Sequence, residues 1–94
     1  MPIDTIGWDI GGAHLKACAL AEGQIVAVVQ SPCPLWLGME QLHTALKTAL
    51  ANLMPGPDCI HAVTMTGELA DLFSNREEGV FGLLSALSQH IKPD

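Results

Sequence analysis

The residues best suited to chemistry stand close together near the start of the chain, in the segment 6–18, IGWDIGGAHLKAC. Glycine has no Cβ, so Gly11 and Gly12 can let backbone amides approach an anion closely. A tight turn can aim successive amides at one anion, and Lys16 would add a positive charge to it. Asp9 cannot attract phosphate itself, but it can hold Mg²⁺ or its water shell beside a phosphate.

The same segment also fits a simpler interpretation. Asp-x-Gly-Gly is an ordinary hairpin turn sequence, and a single Lys on a strand is commonly a solvated charge. The segment is not a Walker loop, because the pattern G-x-x-x-x-G-K-S/T is absent. From the residues alone, a phosphate cradle and a plain turn therefore both remain open.

A second group of candidate residues follows the last apolar strand-like run. Thr66 can cap the helix predicted after it, and Glu68 can face that helix's amides. Alternatively Thr66, Gly67 and Glu68 line the same cleft as Asp9, because ligands in open α/β sheets bind at the carboxyl ends of strands. His14, next to the glycines, can reach a phosphate oxygen, although a strand His beside a turn is more commonly a surface residue.

Hydrophobic periodicity predicts the elements that position these residues. The predicted strands cover residues 3–10, 13–20, 24–30 and 59–65, and the predicted helices cover 39–54, 68–73 and 77–91. The order β-β-β-α-β-α-α predicts an α/β fold, with an antiparallel three-stranded meander in a mixed sheet. The fourth strand is apolar enough to be buried on both faces, as in a parallel pairing.

The predicted core follows from the same periods. Alternation with period two places Ile6, Trp8 and Ile10 on one face of the first strand. Asp9 lies on the other face of that strand. The apolar stripe of the first helix consists of Met39, Leu42, Ala45, Leu46, Ala49, Leu50 and Leu53. The buried face of the last helix is predicted to consist of Val80, Phe81, Leu84, Leu87 and Ile91. His90 stands near that helix's C-terminus, where the dipole favours a cation.

Cysteine and histidine usage argues against a disulfide framework and a metal centre. Three cysteines without a C-x-x-C pair fit neither. Cys18 and Cys59 fall in apolar strands and are predicted to be small buried side chains, whereas Cys33, between two prolines, is predicted to lie in a loop. No two histidines have metal-ligand spacing on one element. His43 is predicted to be solvated, and His61 to be a hydrogen-bonded packing residue.

The composition fits one small domain without a basic surface. The chain has 94 residues, of which 49% are hydrophobic and 15% charged, so it can bury a core and is too apolar for disorder. Its net charge of −6 makes nucleic acid and anionic membranes unexpected partners. The apolar stretches are shorter than a bilayer span and no signal-peptide pattern precedes them, so a cytoplasmic location is expected.

A family resemblance rests on three segments. The segment 6–16, IGWDIGGAHLK, resembles the first phosphate loop of the actin-like ATPase superfamily, and the predicted element order is similar to the start of that ribonuclease H-like fold. Three further features narrow this resemblance to one group within the superfamily. They are Trp8 before the Asp and the segments 62–73 (AVTMTGELADLF) and 76–80 (REEGV). The chain resembles hydantoinase/oxoprolinase-like proteins linked to tetrahydromethanopterin-dependent C1 transfer, whose methanogen relatives build the aminomethylfuran–tyramine part of methanofuran. The resemblance covers nearly the whole chain.

The resemblance implies roles for the residues at matching positions. Asp9 would hold Mg²⁺ through water, residues 11–13 would form the phosphate cradle, and Lys16 would contact the phosphate. Many superfamily members have Thr or Ser where this chain has Ala13, so one phosphate donor is missing and nucleotide hydrolysis is less well supported. The implied ligand is a phosphorylated small molecule or a nucleotide, with Mg²⁺ as cofactor and ATP as a further candidate.

The resemblance also implies that the chain corresponds to part of a larger, two-lobed protein. Superfamily members have two lobes, and the second lobe carries another phosphate loop and the adenosine contacts. Residues 1–94 are therefore expected to form one N-terminal subdomain that is inactive alone, with the second lobe absent. The surface left bare by that lobe would be apolar, and exposed apolar area of that kind favours self-association.

Three functions compete at this point. The first is the phosphate- or diphosphate-binding part of a transferase in methanofuran-type C1-carrier biosynthesis, where a tyramine phenol displaces diphosphate from an aminomethylfuran. The second is an ATP-dependent kinase or amidohydrolase of the same superfamily. The third is a non-enzymatic interaction module, in which DIGG is only a hairpin and the acidic surface meets a basic partner. Such a module has no need of Lys16 beside Asp9.

Overall fold

A mixed four-stranded sheet carries two α-helices in the computed structural model, which describes residues 2–67 and 73–91. In chain order the elements are β1 (Thr5–Ile10), β2 (His14–Ala21), β3 (Gln24–Pro32), a 3₁₀ turn (Leu35–Leu37), α1 (Glu40–Leu53), β4 (Ile60–Met65) and α2 (Arg76–His90). The predicted α/β class with a mixed sheet is confirmed. The helix predicted over 68–73 falls on residues outside the described ranges, except for its last position.

The first strand lies inside the sheet, whose order is β3-β2-β1-β4. β1 pairs with β2 and β2 pairs with β3 in antiparallel fashion, whereas β4 runs parallel to β1. The β2–β3 connection is a two-residue turn in which Glu22 and Gly23 both have positive φ, 51° and 78°. Two such residues are typical of the type I′ turn, whose twist matches that of the strands it joins.

Both helices pack on the same face of the sheet. Ile6, Trp8 and Ile10 point into this layer and are essentially fully buried, as the period-two pattern predicts. The buried stripe of α1 consists of Leu42, Ala45, Leu46, Ala49 and Leu53. Full burial of each large apolar side chain contributes about 1.5–3 kcal/mol, so this single layer supplies most of the hydrophobic stabilisation.

The buried face of α2 differs from the predicted one. Phe81 is 77% exposed and Leu84 is 46% exposed, so the prediction of these two as core residues was wrong. The buried positions are instead Gly79, Leu83, Ala86 and Leu87. Adjacent leucines at 83 and 84 allow two apolar stripes, and small residues on the buried stripe permit a close approach to its neighbours. In the described ranges, no helix is long and apolar enough to cross a bilayer.

The opposite face of the sheet is open within the described part of the chain. Side chains there include Ile25, Val28 and Ile60, which are 66%, 70% and 66% exposed. The prediction that the fourth strand is buried on both faces was therefore wrong. β4 alternates exposed and half-buried residues, because α1 and α2 both cover the same side.

The cysteines also depart from expectation. Cys33 follows β3 and is fully buried, whereas Cys18 and Cys59 are only half-buried, so the prediction that the latter two are buried was wrong. Cys18 lies on the open face of the sheet, opposite Gly7. Burial raises the pKa of the Cys33 thiol, which keeps it protonated and unreactive at neutral pH.

Candidate functional site

The ends of β1 and β4 bring the turn after β1 next to Thr66. The Thr66 amide donates to the Ile10 carbonyl at 2.9 Å, and Thr66 Oγ1 lies 3.9 Å from the position a Cβ on Gly11 would take. Because the two strands are parallel, their carboxyl ends meet at one edge of the sheet. Gly67 is buried among core side chains instead of facing a cleft, and Glu68 lies outside the described residues.

The turn offers two amides to a ligand. The Gly11 amide donates to the His14 carbonyl at 3.0 Å, so it is engaged within the turn, and the place of Gly11 in an anion cradle stays a prediction. The Gly12 and Ala13 carbonyls accept hydrogen bonds from the amides that follow β3, at positions 35 and 33, at 3.1 and 2.7 Å. The amides of Gly12 and Ala13 have no partner in the part of the chain that the structure describes.

Gly12 leaves the approach to this turn open. Within the described residues, a Cβ placed on Gly12 would meet nothing within 4 Å, whereas one on Gly11 would lie 3.2 Å from the His14 carbonyl oxygen. Packing within the protein therefore does not require glycine at position 12, since a larger residue would fit there. A ligand that approaches the backbone closely would benefit from it. His14 and Ala13 are exposed beside the turn.

A polar row crosses the open face of the sheet beside this turn. The strand register sets Asp9 opposite Lys16 on one side and opposite Thr64 on the other. Directly opposed side chains on one face have Cβ atoms about 4.5–5.5 Å apart, so the Asp9 and Lys16 side chains start from neighbouring positions on this face. Asp9 supplies the carboxylate of this row. Among the described residues, no three His, Cys, Asp or Glu side chains are grouped to hold a metal.

The cavities near and far from the turn differ in character. A shallow cavity of about 310 Å³ adjoins Asp9 between β1 and β4, with Gly7 and Ala62 as its floor. A cleft of about 480 Å³ between β4 and α2 is better formed, but it contains none of the predicted site residues. We place the candidate site at the turn, because its Gly12 and Ala13 amides and the nearby Lys16 are groups that can bind an anion.

His61 is a hydrogen-bonded packing residue, as the sequence predicts. Its Nδ1 accepts a hydrogen bond from the indole Nε1 of buried Trp8 at 2.9 Å, and the two rings are stacked with centroids 6.2 Å apart. This bond places the proton of the neutral imidazole on Nε2. Desolvation by burial lowers the pKa of His61.

A contact between two other histidines was missed by the sequence analysis. His43 Nδ1, on α1, lies 2.8 Å from His90 Nε2, on α2, so the prediction that His43 is solvated was wrong. Burial lowers the pKa of His90, and the neighbouring His43 and Lys47 lower it further. His90 therefore does not carry the cation that its helix-terminal position suggested. Spacing within one element cannot reveal a contact between two helices.

The lowered histidine pKa values predict a loss of stability in acid. His61 and His90 both have folded-state pKa values below their ordinary value, so the unfolded chain takes up protons first as the pH falls. Their contribution is complete above about pH 6.5 and is lost from there down through the folded-state values. We expect urea midpoints to fall between about pH 7.5 and pH 5.5.

Two variants separate this effect from other titrations. A His61→Gln/His90→Gln double variant should show a shallower pH dependence of the urea midpoint, whereas His14→Gln, which changes an exposed histidine, should keep the original slope. An unchanged slope in the double variant would assign the acid sensitivity to other groups.

Similarity to a known protein extends along most of the chain. No family model matches it. It is 32% identical over 89 residues to the (4-{4-[2-(gamma-L-glutamylamino)ethyl]phenoxymethyl}furan-2-yl)methanamine synthase of Methanocaldococcus jannaschii. The chain is related to an enzyme of methanofuran biosynthesis. The match covers 95% of this chain and 25% of the relative, so the chain spans about a quarter of that enzyme's length.

Proposed function

We propose that the chain forms the phosphate- or diphosphate-binding part of an enzyme in methanofuran-type C1-carrier biosynthesis. The observation that carries this proposal is the turn after β1, where the Gly12 and Ala13 amides have no partner among the described residues and Gly12 has no side chain to block a ligand. Lys16 and Asp9 stand beside that turn on the open face. The similarity to the methanogen synthase spans nearly all of this chain and supports the pathway.

The proposed role is to hold the leaving group of an ether-forming reaction. The relative's name describes a phenoxymethylfuran methanamine, that is, an aryl ether. Such an ether forms when a phenol oxygen attacks the furan methylene carbon, the bond from that carbon to diphosphate breaks, and the phenol loses its proton. The Gly12 and Ala13 amides would stabilise the negative charge that grows on the departing diphosphate, and Lys16 would add a charge-assisted contact.

Mg²⁺ fits this role at Asp9. Mg²⁺ commonly keeps several waters and is bound by one or two carboxylates together with substrate phosphates. A single carboxylate beside an anion-binding turn is a donor set of that kind. When bound, the ion would neutralise diphosphate charge, while Asp9 orients its water shell.

The open face of the sheet suggests a place for a second lobe. We propose that the chain corresponds to an actin-like N-terminal subdomain that requires a second lobe for catalysis, and that its open sheet face causes self-association when that lobe is absent. The exposed Ile25, Val28 and Ile60 support this. Sedimentation velocity should then show association that increases with protein concentration, and a strictly monomeric chain would contradict it.

An amide-resolved NMR titration tests the binding site. With magnesium diphosphate, the largest shifts are expected at Gly12 and Ala13, with little change at Gly11, whose amide is engaged within the turn. Magnesium ATP is the second ligand, because the competing kinase or amidohydrolase function requires it to bind more tightly than diphosphate. No shift with either ligand at millimolar concentration would refute the cradle and favour an interaction module.

Replacing Lys16 with alanine is expected to weaken diphosphate binding by at least about tenfold, because a hydrogen bond to a charged group contributes about 1.5–3 kcal/mol. Lys47→Ala is the matched control, since it removes the same charge from exposed α1. Lys47→Ala should retain the original affinity. Equal losses in the two variants would mean that diphosphate responds only to net charge.

A further inference from the structure

Two histidines from different helices meet in the helical layer. His43 lies in the first turn of α1, and His90 is the last residue of α2. The rings are 5.0 Å apart between centroids and tilted by 46°, with 2.8 Å between Nδ1 of His43 and Nε2 of His90. As neutral imidazoles they share one proton along this line, because one nitrogen must donate and the other accept.

The separation of the two nitrogens matches that of two neighbouring ligands on one metal ion. Two nitrogens about 2.05 Å from a metal lie about 2.9 Å apart at a 90° ligand angle, and about 3.3 Å apart at the tetrahedral angle. The observed 2.8 Å is that of an N–H···N hydrogen bond, and it is short enough for both nitrogens to bind one ion near the 90° angle once the rings turn so that both lone pairs face the metal. Octahedral and square-planar ions have this angle, and Ni²⁺ and Cu²⁺ with imidazole ligands are the common examples.

The charges around the pair affect such a site in opposite directions. The neutral state of His90 leaves a ring nitrogen lone pair for a metal at neutral pH, and the chain's net charge of −6 attracts cations. Lys47, one turn after His43 on α1, opposes a cation at the pair. From β4, Cys59 and His61 line a cavity of about 290 Å³ beside His90. Neither joins the pair in a three-ligand group within the described residues.

We propose that His43 and His90 form a two-histidine site for a divalent transition-metal ion of the Ni²⁺ type, which links α1 to α2. Water fills the remaining coordination positions. The bound ion takes the place of the proton between the two rings. That proton moves, by exchange with solvent, to the other nitrogen of its own ring, so both ligands remain neutral imidazoles. The site lies in the helical layer, whereas Asp9 and Lys16 lie on the open face of the sheet. It therefore goes beyond the proposed function, and either can fail without the other.

Ni²⁺ titration by calorimetry, with thermal unfolding at each metal concentration, tests this site. We use Ni²⁺ as the titrant because Cu²⁺ oxidises thiols, and Cys18 and Cys59 are only half-buried. We expect one Ni²⁺ per chain and an unfolding temperature that rises with metal concentration. His43→Gln and His90→Gln should each bind Ni²⁺ at least about tenfold more weakly. The metal-free unfolding curve of each variant shows whether it is folded.

Two further variants make the test specific. His14→Gln removes an exposed histidine from β2 and should bind Ni²⁺ like the unchanged protein. Lys47→Ala keeps both ligands and removes the opposing charge, so it should bind Ni²⁺ several times more tightly. Binding in either His→Gln variant within twofold of the unchanged protein would overturn the proposal. The absence of binding at about 100 μM Ni²⁺ would also overturn it, because that concentration is well above the dissociation constant expected for a specific metal site.

Discussion

Replacing His61 with alanine is expected to lower the free energy of unfolding by about 2–3 kcal/mol. The indole of Trp8 is 1% exposed, and its N–H donates to His61 Nδ1 at 2.9 Å. Without His61, that donor remains buried and has no acceptor in its place, which costs about 1–3 kcal/mol. The lost stacking of the two rings adds to this. Urea unfolding followed by far-UV circular dichroism measures the change.

A double-mutant cycle identifies the hydrogen bond as the cause. Trp8→Phe removes the donor and keeps an aromatic ring in the core, so the cost of His61→Ala should be smaller by about 1–3 kcal/mol in that background. His14→Ala, at an exposed histidine, should change stability by less than about 0.5 kcal/mol. If His61→Ala costs the same with Trp8 and with Phe at position 8, the hydrogen bond does not carry the effect.

Replacing Gly67 with alanine is expected to lower the free energy of unfolding by about 1–3 kcal/mol. A Cβ at this position would lie 2.8 Å from Leu35 Cδ1, 3.1 Å from Leu83 Cδ1 and 3.2 Å from the Ile10 carbonyl oxygen. Both leucines are fully buried, so neither can move without displacing other core atoms. The carbonyl is held by β1. Chemical denaturation of the variant measures the cost.

Gly7→Ala is the control for this steric argument. Gly7 lies on the open face of β1, where an added Cβ would meet nothing within 4 Å in the ranges 2–67 and 73–91. We expect that variant to be neutral or stabilised by up to about 1 kcal/mol, because alanine restricts the unfolded chain more than glycine does. Equal destabilisation at positions 7 and 67 would mean that crowding around Gly67 is not the reason.

Local patterns predict the part of the fold that is made of neighbouring residues. The alternation of Ile6, Trp8 and Ile10 identifies the core face of β1, and the stripe of α1 is recovered from its three- and four-residue steps. The buried side of α2 could not be predicted, because adjacent leucines at 83 and 84 fit two faces equally well. Packing against the rest of the core decides between them, and that information is not local.

The candidate site, too, has features that the local sequence predicts and features that depend on distant residues. A turn with two glycines and nearby charges is visible in the eight consecutive residues 9–16, DIGGAHLK, so the sequence indicates where an anion would bind. The Gly11 amide is engaged locally by the His14 carbonyl, but the turn's own carbonyls are held by the amides of Cys33 and Leu35, which come after β3. The burial of Gly67 depends on Leu35 and Leu83. Such contacts join segments that no spacing rule connects.

The position of β1 inside the sheet affects how the chain folds during synthesis. The meander can pair as soon as it leaves the ribosome, because Thr5 meets Leu20 across a short turn. The other edge of β1 must wait for β4, since Thr5 pairs there with Ile60. Contacts of such long sequence separation form slowly, because closing the intervening loop costs entropy before any contact compensates. We therefore expect a nascent chain that ends before β4 to expose an unpaired edge of β1 to chaperones.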